Sequence, residues 1–297
     1  MAKSPQQELA ADSESSEPAA SLVQYSSAYG YSAAGTATGQ TRRNQRSIPR
    51  GWLIAAGVVV PLLLLGAWQL ISSLGLVPAY RLPSPASVWL AGVDLAQRGL
   101  LWSDIGISVQ RVLIGFVIGS IVGLVLGSVV GLSKIASAFF APTIGAFRAV
   151  PSLAWVPLLV LYLGITEDSK VTLIAIGALF PVYTTVAGAL RHVDPHIVEL
   201  GRAYGLGRFQ LLRQVQLPAV VPTVVSGLRL ALAQAWLFLV AAELIASAMG
   251  LGFRLLDSQQ NGRIDRMFLV IILLGILGKT TDALIGLLER YLLKRWG

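Results

Sequence analysis

Cysteine is absent from the 297 residues, which excludes disulfides and thiolate metal sites alike. Histidine occurs only twice, at His192 and His196. Their four-residue spacing suits a zinc pair, but Pro195 between them breaks the helical face they would share, and no Glu follows His192 as a metalloprotease motif requires. A metallo-hydrolase has little to work with, and neither metal nor cofactor is expected. Charge is scarce too: 13% of the residues carry one, against about a quarter in soluble proteins. The net charge of +8 could suggest nucleic acid, but the basic residues lie along the ends of apolar runs and gather on no single domain. A membrane is the expected partner, and nucleic acid is not.

Apolar residues make up 55% of the chain, and the mean hydropathy is +0.69. Six runs approach or exceed the ~20 residues that cross about 30 Å of hydrocarbon. They lie near Trp52–Leu70, Ile107–Leu132, Ala136–Leu163, Val171–Leu190, Ala219–Ala246 and Met267–Leu288. The fold class expected is all-α, a polytopic membrane protein with six transmembrane helices over residues 48–297. Residues 1–47 are different material, rich in Ser, Ala, Gly, Gln and Tyr, with too little apolar surface to offset the entropy of ordering. They read as a disordered tail. Acidic Glu8, Asp12, Glu14 and Glu17 lead it and no apolar segment follows, so it is not a signal peptide. Arg42, Arg43, Arg46, Arg50, Lys134, Arg191, Arg202, Arg208, Arg213, Arg290, Lys294 and Arg295 flank one side of the spans; Arg81, Arg98, Lys170, Arg254, Arg263 and Arg266 flank the other. The richer side is expected in the cytoplasm, with both termini and residues 191–218.

The 191–218 stretch is a polar, basic interruption between two apolar runs. It reads as two short helices joined at Gly205, because glycine accepts a positive φ cheaply, with Pro218 opening the next helix. Phe209, Leu212 and Val215 recur three apart and place an apolar ridge on one face. Such a ridge either rests on lipid headgroups or docks to a soluble partner. In the second run Gly115, Gly119, Gly123, Gly127 and Gly131 fall every four residues, the small-residue ridge that lets another helix approach closely. Near the middle of the third run stands Arg148, where a charged side chain costs about 2.5–3.5 kcal/mol. Pro151 follows three residues later and disturbs the helix there. Arg148 therefore either lines a wet path or pairs with a buried acceptor. Arg229 and Glu243 in the fifth run read as structural charges, and Arg111, at the mouth of the second run, as a headgroup contact. Gly278-Lys279-Thr280 looks like the end of a phosphate-binding loop, but its earlier glycine is replaced by Leu273 and no strand precedes it.

The spacing Glu199, Gly205, Val215, Leu217, Pro218 resembles the loop shared by permease subunits of binding-protein-dependent ABC importers. The family pattern carries Ala-Ala after the Glu, where this chain has Leu200-Gly201. Further stretches are similar to the aliphatic-sulfonate, taurine and nitrate group: Leu82-Pro83-Ser84-Pro85, Arg148 to Pro157, Phe180-Pro181-Val182-Tyr183, Ala203-Tyr204-Gly205-Leu206, Ala242-Glu243 and Leu277-Gly278-Lys279. The resemblance covers roughly Trp68 to Arg295 and implies a type I ABC importer permease in the bacterial inner membrane, not an enzyme. It also implies three protein partners: an ABC ATPase subunit, an extracytoplasmic substrate-binding protein, and a second permease copy in a homodimer, all amid membrane lipids. Glu199, Gly205, Phe209, Leu212, Val215, Leu217 and Pro218 would couple to the ATPase, and Arg148 and Pro151 would line the substrate path. A secondary transporter driven by an ion gradient is the alternative; it needs a carboxylate relay or inverted repeats, and only Glu243 and Asp282 are acidic candidates.

Overall fold

Helices begin and end where the local chemistry dictates. The computed structural model describes residues 50–296; the tail expected over residues 1–47 lies outside the described residues. The first helix, α1 (Arg50–Ser73), is followed by α2 (Pro85–Gln97), whose start is fixed by Ser84: its hydroxyl oxygen accepts from the Ser87 amide at 3.1 Å, with Pro85 in the first turn. Next, α3 (Leu100–Leu132) enters from left-handed Gly99 and ends at Ser133, whose hydroxyl caps α4 (Lys134–Ala149) through the Ala136 amide at 3.2 Å. A single 3₁₀ turn (Ser152–Ala154) leads to α5 (Trp155–Leu163). Glu167 and Asp168 open α6 (Glu167–Arg191) and Arg191 closes it, each charge complementing the helix dipole. Short α7 (Pro195–Ala203) and α8 (Arg208–Leu211) precede a π turn (Leu212–Gln216) and the long α9 (Leu217–Ala246). The chain closes with α10 (Leu251–Gln260) and α11 (Ile264–Trp296).

The core of the unit Val60–Gly297 lies among α3, α5, α6 and α9, where Val112, Val156, Leu173, Ile174, Trp236 and Leu239 pack together. Along its flank five of the six glycines of α3, Gly115, Gly119, Gly123, Gly127 and Gly131, face α6. A Cβ on Gly123 would stand 2.8 Å from the Leu179 carbonyl oxygen and 2.9 Å from Val182 Cβ; on Gly127 it would meet Val186 Cβ at 2.8 Å. Gly115, Gly119 and Gly131 press on Ile174, Ala175 and Leu190 in the same way. Asp94 of α2 ties that helix to α11 by accepting from Arg266 at 2.9 Å, and accepts from Arg98 at 2.8 Å. Desolvation pushes the Asp94 carboxyl up, but the two guanidiniums outweigh it and hold it below the usual carboxylate value.

Four helical stretches among the described residues are long and apolar enough to cross a membrane: Leu100–Leu132, Glu167–Arg191, Phe209–Ile245 and Ile264–Tyr291. Leu62, Leu63 and Leu64 of α1 are 60–66% exposed, as an apolar surface meant for lipid or another protein must be. The third expected span, Ala136–Leu163, is not one helix. Pro151 offers no amide hydrogen and forces the residue before it out of the helical region, so Val150 turns extended and its N–H falls back on the Phe147 carbonyl at 3.3 Å. The resulting helices of 16 and 9 residues are about 24 and 14 Å long, and neither crosses alone. Arg148 is thus in the last turn of a helix at a break, rather than midway along a continuous span.

Candidate functional site

The loop between α6 and α9 is built by caps and one obligatory glycine. Asp194 accepts from the His196 amide at 2.9 Å and starts α7, with Pro195 in the first turn. Gly205 has φ 76°, a conformation that side chains resist. Around it the Gly205 amide donates to the Arg202 carbonyl at 2.9 Å and the Leu206 amide to the Gly201 carbonyl at 3.2 Å, the paired bonds of a Schellman cap. Gly201, where the family pattern has alanine, is buried: a Cβ there would stand 2.5 Å from Leu211 Cδ1. The missing methyl lets Leu211, only 6% exposed, close onto α7.

Just before Pro218 the backbone widens into a π turn, with the Leu217 amide donating to the Leu212 carbonyl. Proline cannot donate, and its ring would collide with the carbonyl four residues back; the wider turn relieves that conflict. The wider turn also spreads the expected three-residue ridge. Phe209 is 73% exposed, whereas Leu212 and Val215 are half-buried. The outward apolar surface of the loop includes Ile197 and Leu200 of α7 and Tyr204 at its C-cap, at spacings of three and four, beside Phe209. That spacing was present in the sequence but masked by the interleaved polar residues Glu199 and Arg202. Glu199 itself is exposed, Leu217 is 41% exposed and Pro218 half-buried. Between this loop and the α3–α4 corner lies a groove of about 730 Å³ lined by Lys134, Arg202, Phe209, Leu212 and Gln216, beside a second of about 480 Å³ reached by Arg191.

At the other ends of α6 and α9 lies a polar cluster that sequence reasoning did not find. Arg111 is 1% exposed, so the expected headgroup contact is corrected: it is a core residue. Its Nε and Nη2 donate to the two Glu167 oxygens at 2.6 and 2.7 Å, and its Nη1 donates to Glu243 at 2.7 Å and to the Met249 carbonyl at 2.8 Å. Glu243, fully buried, also accepts from Ser108 Oγ at 2.8 Å and from the Gly252 amide at 2.7 Å. Asp104 accepts from the Gly250 amide at 3.0 Å and from Arg254 at 2.7 Å. With Ser108 Oγ accepting from the Leu251 amide at 2.9 Å, two carboxylates and a hydroxyl cap the start of α10 from other helices, and the Glu243 side chain occupies the space a Cβ on Gly250 would need. The four-residue step from Asp104 to Ser108 and the loop glycines were the only signals in the chain.

Arg229 pairs with Asp282 at 2.8 and 2.9 Å and with Glu289 at 3.2 Å, joining α9 to α11. Lys279 lies within α11 rather than in a phosphate-binding loop, 3.6 Å from Asp282. Among the described residues Arg148 is exposed and makes no hydrogen bond or ion pair, and Pro151 sits exposed at the break. Beside them Phe147 stacks on Trp155, ring centroids 5.9 Å apart, and the Trp155 indole N–H is buried with no acceptor among the described residues. No group of His, Asp and Glu among the described residues could hold a metal ion.

Residues 103–294 match the family described as the inner membrane component of binding-protein-dependent transport systems. A protein of Bacillus subtilis (strain 168) that carries the name aliphatic sulfonates transport permease protein SsuC is 38% identical over 82% of this chain and 88% of its own. The Escherichia coli (strain K12) protein of the same name is 41% identical over 82% of this chain and 90% of its own. Among solved structures, an inward-facing form of the MetNI methionine ABC transporter superposes with a TM-score of 0.51 at 25% identity, covering 67% of this chain and 97% of that one. With its all-α architecture, its spans and its interrupted loop, the chain belongs to the family of inner membrane components of binding-protein-dependent transport systems, as a multi-pass permease subunit of the ABC importer type.

Proposed function

We propose that this permease passes an aliphatic sulfonate, or a small anion of related chemistry such as taurine or nitrate, from an extracytoplasmic binding protein to the cytoplasm, driven by a separate ABC ATPase. One observation carries the coupling: the loop holds Ile197, Leu200, Tyr204 and Phe209 outward in water-accessible positions, with a Schellman cap fixing the angle between its two helices. An apolar helix face offered outside the spans fits a groove on a soluble partner. In this reading Glu199, Gly205, Phe209, Leu212, Val215, Leu217 and Pro218 form or support the ATPase contact, the loop and both termini are cytoplasmic, and a second copy completes the pathway. The sulfonate assignment is supported by the two relatives that carry that name. An ion-gradient carrier is disfavoured because both candidate relay carboxylates are engaged, Glu243 with Arg111 and Asp282 with Arg229.

The test is growth and uptake in a strain deleted for this gene, with sulfonates, taurine and nitrate compared as sole sulfur or nitrogen sources. Sulfonate-dependent growth should be lost on deletion and restored by the gene. Unchanged sulfonate uptake with lost nitrate uptake would replace the substrate and keep the permease.

A further inference from the structure

Beside the α4–α5 break lies a cavity of about 270 Å³ whose wall presents no polar atom. Its lining comes from four helices, with Leu126 on α3. Ile144 and Phe147 belong to the last turns of α4, Trp155 opens α5, and Ile176, Leu179 and Phe180 lie on one face of α6. Phe147 and Trp155 stack across the break and close one side. The Trp155 N–H is buried and adds no polar surface to the cavity, so the ring acts there as an apolar wall. Arg148 follows Phe147 directly and Ile144 by one turn, so it lies on the same side of α4 as that part of the lining, and among the described residues it makes no hydrogen bond or ion pair.

An apolar cavity with an exposed arginine next to its lining residue Phe147 matches a molecule with an anionic head and a short hydrocarbon tail. We propose that this cavity receives the aliphatic chain of the transported sulfonate while Arg148 holds the head. The proposal rests on the sulfonate reading above. The planar fork of the guanidinium can donate twice to sulfonate oxygens, and its exposed position keeps that contact weak enough for release. At about 270 Å³ the cavity lies near the lower limit of small-molecule pockets, about 300 Å³ and upward, so it suits a short chain. Selection by chain length thus occurs in the permease as well as in the binding protein. A phospholipid shares this amphipathic chemistry, and the test separates the two.

The measurement is uptake of labelled methanesulfonate and hexanesulfonate into proteoliposomes holding the permease with its ATPase, at saturating binding protein. Each methylene buried is worth about fourfold in affinity, so loss of room for two of them should lower the hexane-to-methane ratio by about fifteenfold. Ile176→Phe fills the cavity and should do so while methanesulfonate uptake persists. Phe147→Ala opens one wall at a half-exposed ring, so folding does not depend on it, and should lower the same ratio if Ile176→Phe fails to assemble. Arg148→Gln should reduce both sulfonates alike. Wild-type ratios in both cavity variants would overturn the proposal, as would loss of bound phospholipid with both sulfonates equally affected, which would make the cavity a lipid site. If the unmodified complex moves neither sulfonate but does move nitrate, the substrate reading has failed, and the proposal with it, for a reason visible before any variant is made.

Discussion

At the scale of single residues, Arg111 shows how a charge that looks peripheral in sequence becomes the centre of a buried network. Its side chain is 2% exposed and Glu243 is 0% exposed, whereas Glu167, on its other side, is 56% exposed. Removing one partner of a buried pair costs about 3–5 kcal/mol because the other is left uncompensated, while an exposed partner is worth under about 1 kcal/mol. Arg111→Met should therefore lower the melting temperature of the purified permease far more than Glu167→Gln, with Glu243→Gln between them. Equal shifts for Arg111→Met and Glu167→Gln would reject the network as a stabilising feature. The sequence could not reveal it because its members come from α3, α6, α9 and the loop before α10, and no local spacing links Arg111 to Glu243. By contrast Gly205 was legible, since a turn between two amphipathic pieces needs a left-handed residue and only glycine meets that cheaply.

At the scale of elements, periodicity was readable but partnership was not. The four-residue glycine register is visible in the chain; that it faces α6 of the same chain is evident only from the packed helices. We propose that this ridge sets the distance between α3 and α6. Gly123→Leu should reduce folded yield and melting temperature sharply, because its Cβ would already stand 2.8 Å from the Leu179 oxygen and overpacking costs about 1–3 kcal/mol before the longer side chain is placed. Val125→Leu, at a position 57% exposed, should be near neutral. Comparable recovery of the two variants from detergent would show that the helices do not depend on that contact. Over residues 136–163 length alone marks a single span, since an apolar run is consistent with a span whether or not a proline divides it, whereas Pro151 marks the disturbance that the structure shows. The break follows from Pro151, yet the hydropathy of the run gives no sign of it.

At the scale of the whole Val60–Gly297 unit, α6 and α9 connect its two polar features. The 191–218 loop leaves from the end of α6 and returns at the start of α9, while Glu167 and Glu243 sit near the opposite ends of the same helices and meet on Arg111. Helices of 25 and 30 residues reach about 37 and 45 Å, so under the coupling proposed for the loop a push there would be passed along two rods pinned together at the far end. Transmission then depends on the loop being stiff. Nothing lies within 4 Å of a Cβ on Gly205, so a substitution there acts through the backbone alone. Gly205→Val forces a β-branched residue to positive φ, a strain of about 1–3 kcal/mol that is relieved by opening the Schellman cap. Transport should fall about tenfold or more while basal ATP hydrolysis and complex recovery persist. Gly205→Asn, which tolerates the left-handed region, should retain most of the transport. The comparison isolates geometry from bulk, because both variants add a side chain to open space. If valine transports as well as asparagine with the ATPase bound equally, the angle fixed at Gly205 does not carry the stroke, and the coupling role assigned to this loop fails.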